Sequence, residues 1–309
     1  MSKRLFPVLA LLLGLTLLMA ACGAKPATTT KAPETTTAAA AATTAAAATE
    51  TETEATTEAA AETKAEAADD SWSKIESKGK LIMGLDDNFP PMGFRDEKNE
   101  IVGFDVDLAK EVTKRLGIEL ELLPIDWQMK QNELDAGNID CLWNGYSYTE
   151  ERDKDNTLSA AYLGNDQVVV VMSKSGITDL AGLAGKKLAL QEQSSAEQAL
   201  DAAADFKASL AEVVPFRDNV TAFLDLESGN SDGLLIDKVV GEYYIAQKNA
   251  GDYTILAESL APETYVIGFR KGEVALKDKI EETLRAMKED GKLAEIATKW
   301  FGSDVTIFK

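Results

Sequence analysis

The sequence predicts an α/β protein of two lobes with mainly parallel sheets, and three observations carry that prediction. Short apolar runs that read as strands alternate with amphipathic stretches that read as helices. The stretch Leu134-Asp135-Ala136-Gly137-Asn138-Ile139-Asp140-Cys141-Leu142 is echoed by Leu226-Glu227-Ser228-Gly229-Asn230-Ser231-Asp232-Gly233-Leu234, each a helix end, its glycine cap and the next strand. Several strands run into Gly-, Ser- or acid-containing junctions at the edge where open α/β sheets bind ligands.

In order, Lys3 and Arg4 precede the apolar run 5–19, the pattern of a secretory signal. Leu18-Met19-Ala20-Ala21-Cys22-Gly23 resembles a bacterial lipoprotein cleavage box. That resemblance implies a signal peptide over 1–21, cleavage before Cys22 and a lipid on its sulfur, which would tie the protein to the outer face of the cell membrane. An ordinary secreted protein cut near Ala21, or an uncleaved anchor, stays open as an alternative. A lasting anchor needs more than one acyl chain. Residues 22–70 are a low-complexity run of Ala, Thr and Glu. They lack the apolar surface to offset chain entropy and are expected to form a disordered tether, spanning on the order of 40 Å as a coil.

The folded part begins near Ser71-Trp72. A strand is expected over 81–85, ending in Asp86-Asp87-Asn88-Phe89-Pro90-Pro91, a loop because two prolines follow. Asp105 is expected to cap a helix carrying Leu108, Val112 and Leu116 on one face, stopped by Gly117. A strand over 118–125, a helix over 129–136 and a strand over 139–142 follow, the last breaking at Asn144-Gly145. Further strands are expected over 167–172, 188–191, 234–236 and 265–269, and helices over 274–289 and 293–300. Ser194 or Ser195 suits a helix N-cap, with Glu197 completing a capping box with Ser194.

The 309 residues carry a net charge of −20, which argues against nucleic acid, whose phosphates need clustered Lys and Arg. There is no histidine, so His-based acid–base chemistry, Ser-His and Cys-His nucleophiles and His-bound metals are excluded. No metal and no cofactor are expected. Cys141 lies in an apolar run and reads as a small buried side chain; with Cys22 assigned to lipid, no disulfide is expected.

The stretch Trp143-Asn144-Gly145-Tyr146-Ser147-Tyr148-Thr149-Glu150-Glu151-Arg152 suits a small carboxylate. Backbone N–H groups and Ser147 can donate to it, and Arg152 offers a bidentate fork. The N–H groups at the Ser194-Ser195 helix start form a second anion site. Asp237 ends the strand 234–236.

These residues together resemble a solute-binding protein of the amino-acid type, the extracellular family 3 class that serves ABC importers. The resemblance rests on five blocks: Gly84-Leu85-Asp86 through Pro91, Gly103-Phe104-Asp105-Val106-Asp107-Leu108-Ala109, Gly137 through Arg152, Gln191 through Glu197, and the C-terminal Lys288-Glu289-Asp290-Gly291-Lys292-Leu293 with Lys299-Trp300-Phe301-Gly302. It implies a type II periplasmic-binding-protein-like fold, with two crossover hinge strands near Val170 and Thr264 and the ligand in the cleft between the lobes. Lobe 1 would comprise 71–169 plus 264–309, and lobe 2 would comprise 170–263.

By position, the resemblance gives Arg152 to the ligand's α-carboxylate and makes Gly145, Ser147 and Ser195 the donors around it, with Asn144 and Ser194 beside them. It gives Asp237 to the α-ammonium, Phe89 to stacking on the side chain, Asp86 to the deeper polar position and Trp127 to the opposite apolar wall. Read as residues alone, Phe89 and Trp127 also fit as core aromatics, Asp237 as a helix N-cap and Asp86 as a loop-capping acid. Glu192-Gln193 stands where the family usually has Leu-Gly, Ser195 stands for a threonine, Met92 for an aromatic and Glu150 for a proline, and Trp143 is bulkier than usual.

The expected function is capture of a polar L-amino acid outside the cytoplasmic membrane and delivery to an ABC permease, by a monomer and without chemistry on the ligand. An arginine, a helix N-terminus and an aspartate recognise a zwitterion but make no activated nucleophile. The alternatives are a dehydratase-like cleft enzyme on the same fold and a sensory receptor.

Overall fold

The computed structural model describes residues 69–309. The signal peptide, Cys22 and all of the 22–70 tether but its last two residues lie outside the described residues. Among the described residues no helix is long and apolar enough to cross a membrane.

The first elements are α1 (Ser71–Lys78), β1 (Lys80–Leu85), the short strands β2 (Asn88–Phe89), β3 (Gly93–Arg95) and β4 (Ile101–Val102), α2 (Phe104–Leu116), β5 (Glu119–Pro124) and α3 (Lys130–Asp135). They continue with β6 (Cys141–Ser147), α4 (Glu150–Asp155), β7 (Asn156–Leu158), β8 (Leu163–Met172), β9 (Lys187–Gln191), α5 (Ser195–Ala202), α6 (Ala204–Ser209) and β10 (Glu212–Phe216). The chain closes with α7 (Asn219–Ser228), β11 (Gly233–Asp237), α8 (Lys238–Ala246), β12 (Tyr253–Arg270), α9 (Val274–Glu289) and α10 (Lys292–Phe301).

The main sheet runs β10-β9-β11-β8-β12-β6-β1-β5, with β7 on the last residues of β12. β6, β1 and β5 are mutually parallel at one side, and β11, β9 and β10 at the other. Between them β8 and β12 pair antiparallel. β8 pairs β11 over 167–171, whereas β12 pairs β6 at Tyr265 and Val266. Both strands therefore run from one half of the sheet into the other, which is the two-lobe arrangement with two crossover strands. The register of β12 on β8 shifts between Ile255 and Ser259 and again before Ala261, where irregular pairing lets a strand bend.

Alternate residues of each parallel strand enter different cores. Leu81, Met83 and Leu85 of β1 join Cys141 and Trp143 of β6 in one cluster, while Leu142 and Tyr146 join Trp127 and Ile139 on the other face. In the other half Leu234 and Ile236 face one cluster and Leu235 the other, with Val169 and Val171. Sheets covered on both faces read as continuous apolar runs, and each large side chain so buried contributes about 1.5–3 kcal/mol. Cys141 is a free, fully buried cysteine whose thiol burial pushes well above its ordinary range.

The echoed sequence has a structural counterpart. Gly137 and Gly229 both take left-handed φ values, 75° and 80°, after α3 and α7. Three residues on, Asp140 donates its N–H to the Ile82 carbonyl at 2.7 Å and accepts the Ile82 N–H on Oδ2 at 2.7 Å. Asp232 does the same with Lys187, at 2.9 and 3.0 Å. The repeated Gly-Asn-x-Asp thus turns each helix back and pins the next strand to its parallel neighbour.

Four expectations are corrected. The stretch from Asp86 to Pro91, expected as a loop, contains β2, because Asn88 and Phe89 find antiparallel partners in Phe94 and Gly93 of β3. The strand read as breaking at Asn144-Gly145 continues through Ser147, because β12 supplies pairing partners for Tyr146 and Ser147. Asp105 is not a cap: Gly103 holds the N-cap of α2, and Asp105 lies in the first turn with its side chain fully buried. Glycine is required at 103, where a Cβ would meet the Met92 carbonyl oxygen at 2.1 Å. The strand expected over 265–269 is the last part of β12, which starts at Tyr253. The helix expected over 274–289 has those bounds.

Candidate functional site

The loops after β1, β6, β9 and β11 meet between the two halves of the sheet. On the first side, Asp86 follows β1; its N–H donates to Asn144 Oδ1 at 3.0 Å, and its carboxylate accepts from the Asn88 N–H at 2.9 Å. Gly145, within β6, has φ of 56°, and a Cβ there would lie 2.7 Å from Phe89 Cε1. Its N–H donates to Asp105 Oδ2 at 2.7 Å, and the Tyr162 hydroxyl donates to the same oxygen at 2.9 Å. The buried acid read as a cap therefore holds the β6 backbone in its left-handed kink. Burial pushes Asp105 up to about 7.

Thr149 caps α4 by accepting the Arg152 N–H at 3.2 Å. That places Arg152 back over β6, where Nη1 donates to the Ser147 carbonyl at 2.7 Å and the guanidinium lies 4.2 Å from the Tyr146 ring centroid. Arg152 is 6% exposed and, among the described residues, forms no ion pair. A buried guanidinium without a counter-ion is a seat for an anion.

On the second side, Ser194 is the N-cap of α5, its hydroxyl donating to the Gln191 carbonyl at 2.6 Å and accepting the Glu197 N–H at 3.4 Å. The Glu197 carboxylate accepts from the Gln193 N–H at 2.6 Å, so the box closes one residue earlier than the expected pairing with Ser194. Asp237, 5% exposed, sits at the N-cap of α8 but makes no capping bond. Its Oδ1 accepts from Asn165 Nδ2 at 2.6 Å and from the Tyr265 hydroxyl at 2.8 Å. Burial, and then the charge of Glu263, push Asp237 up to about 7.

One small cavity lies between these groups. It is lined by Asp86, Phe89, Trp127, Asn144, Gly145 and Arg152 from one side and by Ser194, Ser195 and Asp237 from the other. Its volume is about 10 Å³, room for a single water. The halves are closed on each other, and a molecule larger than water enters only if they part. Ser147 does not line the cavity; its hydroxyl lies 3.1 Å from Ser195 Oγ and donates to Glu263 at 2.8 Å. Gln191 lines it as well, donating to Asp86 at 2.9 Å across the cleft. In the sequence Gln191 is only the last residue of a run before Glu192, with nothing to mark its side chain as facing the cleft. Burial pushes Asp86 up to about 6.

The cleft rim is tied as well. Gln128 donates to Glu192, Arg217 pairs with Asp126, and Lys130 Nζ donates to the Gln193 carbonyl at 2.8 Å. The unusual Glu192-Gln193 pair thus serves contacts across the cleft. Among the described residues no cluster of acids and cysteines suits a metal ion.

The family described as bacterial extracellular solute-binding proteins, family 3, matches residues 81–303. The L-cystine-binding protein TcyJ of Escherichia coli K12 is 28% identical over 236 residues, covering 76% of this chain and 87% of that protein. The glutamine-binding protein GlnH of Bacillus subtilis 168 is 30% identical over 241 residues, covering 76% of this chain and 86% of that protein. Among solved structures, an ABC uptake transporter substrate-binding protein from Streptococcus pneumoniae with bound histidine superposes with a TM-score of 0.76 at 38% identity, covering 78% of this chain and 99% of that one.

Proposed function

Because the chain belongs to the bacterial extracellular solute-binding proteins, family 3, we propose that it captures a polar L-amino acid outside the cytoplasmic membrane and delivers it to an ABC importer. The observation that carries this reading is one cavity lined by a buried arginine and a buried aspartate that, among the described residues, have no carboxylate and no cation as partners. A free amino acid carries the complement of both. Arg152 takes the α-carboxylate, with Ser194 and Ser195 as donors around it and Ser147 freed from Glu263 as the cleft opens; Gly145, expected as a donor, has its N–H engaged by Asp105 and instead shapes the kink of β6. Asp237 takes the α-ammonium. Phe89 and Trp127 wall the side chain, and Asp86 with Asn144 faces its polar end. The names of relatives that bind cystine, glutamine and histidine support an amino acid as ligand.

The domain reading goes with it: lobe 1 as 71–169 plus 264–309, lobe 2 as 170–263, and closure by bending of β8 and β12. So does the anchor, a lipid on Cys22 after removal of 1–21, with 22–70 as the tether. The protein acts as a monomeric binder rather than an enzyme, since the cavity pairs a cation with acids and holds no nucleophile set against a base. A thermal-shift screen against all common amino acids tests the reading: at least one should raise the melting temperature, and a screen in which none does removes the amino-acid assignment. Recovery of the bound molecule unchanged after incubation separates a binder from an enzyme.

A further inference from the structure

Behind Asp237, on the crossover strands, stands a second acid. Glu263 Oε2 accepts from Ser147 Oγ at 2.8 Å, Gln167 Nε2 at 3.1 Å and Asn165 Nδ2 at 3.3 Å. Asn165 Nδ2 also donates to Asp237 Oδ1. One amide nitrogen therefore bridges two carboxylates. Among the described residues neither carboxylate forms an ion pair, and every donor named on them is neutral. Gln167, fully buried and paired in register with Asp237, leaves its Oε1 without a donor. Two acids and an orphaned amide oxygen are short of one thing, a cation with several N–H donors.

We propose that Glu263 is a second acidic residue of the ammonium seat: joined to Asp237 through the Asn165 amide, it helps keep a proton on Asp237 while the cleft is empty, and that proton leaves to solvent when a protonated amine enters. The proposal rests on the amino-acid reading of the cleft. Two nearby carboxylates do not both ionise freely, and an arriving positive charge removes the reason for holding the proton. Other charged or titratable groups near the pair include Arg152 and Asp86, which line the cavity with Asp237, Lys238, which follows Asp237 and pairs with Glu242, Asp166, opposite Pro262 in the pairing of β8 and β12, and the Tyr265 hydroxyl, which donates to Asp237 and is itself driven further from ionisation by burial and that acid. Arg152 would be engaged by the ligand's carboxylate, so it leaves the ammonium to the acid pair. The seat would favour amines over the corresponding hydroxy acids and would grip them more weakly as pH falls.

Calorimetry of the wild-type protein with L-glutamine and L-arginine, whose side chains do not titrate between pH 5.5 and 8, tests this in buffers of different ionisation enthalpy. Near pH 6.5 binding should release about one proton, the number fixed by a pair that holds one. Glu263→Gln should abolish most of that release and weaken binding at pH 8 about tenfold, the loss that one pKa unit of coupling represents, while costing little at pH 5.5. Release that is absent in the wild type, or undiminished in Glu263→Gln, overturns the proposal, as does a loss of affinity that is the same at every pH. If neither these two nor any other common amino acid binds, the amino-acid reading is what fails. The carboxylate pair is then judged without ligand, by the ¹³C NMR titration of Asp237, identified by its loss in Asp237→Asn. A lower midpoint in Glu263→Gln supports the pair, and an unmoved midpoint overturns it.

Discussion

Arg152 and Asp237 face one cavity from opposite halves of the sheet, and among the described residues each is buried without an oppositely charged partner. Buried charges in that state are costly unless something completes them. The arrangement therefore makes several measurable demands.

Ligand should stabilise strongly. A molecule that binds only the folded state adds about 2.7 kcal/mol at one hundred times its Kd, a rise of roughly 5–10 °C in Tm for a folded region of this size. Differential scanning calorimetry with the amino acid found by the screen measures it.

Without ligand, stability should fall as pH rises from about 4 to 7. Burial raises Asp86 to about 6 and Asp105 and Asp237 to about 7, against 3.8 when unfolded. Between those values the folded state holds more protons than the unfolded one, so unfolding becomes easier as pH increases. The contribution is fully present below the unfolded value and gone above about 7. Urea midpoints at pH 5 and pH 7.5 check the sign, and Asp105→Asn should flatten the slope.

Gly145→Ala should cost about 1–3 kcal/mol, because alanine is strained at positive φ and the added methyl overpacks against a ring. Here that ring is Phe89, 2.7 Å from the new Cβ. Denaturant unfolding gives the magnitude, and unchanged stability would show that β6 does not need its kink.

The rim contacts should govern how often the cleft opens rather than how stable the fold is. Arg217 is largely exposed, so Arg217→Ala should change stability by under about 1 kcal/mol. Combined with Glu192→Ala it should raise the ligand-free radius of gyration in small-angle scattering, while ligand restores the compact value.

Local signals make much of this legible in the sequence. The continuous apolar runs mark β1, β9 and β11 because both sheet faces are covered, and Ser194 and Glu197 announce the start of α5. Asp105 reads as a cap because an acid before a helix ordinarily is one, and only the fold brings it under Gly145. Glu263, Asn165 and Gln167 give no signal. They lie on crossover strands, where a side chain's neighbours are set by antiparallel pairing of segments nearly a hundred residues apart.

The clamp itself is tested by calorimetry of Arg152→Ala and Asp237→Ala with the screened amino acid, its α-amide and its des-amino analogue. Each variant should lose about 2–5 kcal/mol with the free amino acid, because each strands one buried charge. Arg152→Ala should cost far less with the amide, and Asp237→Ala far less with the des-amino compound. If both variants fold and bind the amino acid within about threefold of wild type, under 1 kcal/mol, the two residues do not hold the ligand's ends and the account of the cleft is wrong.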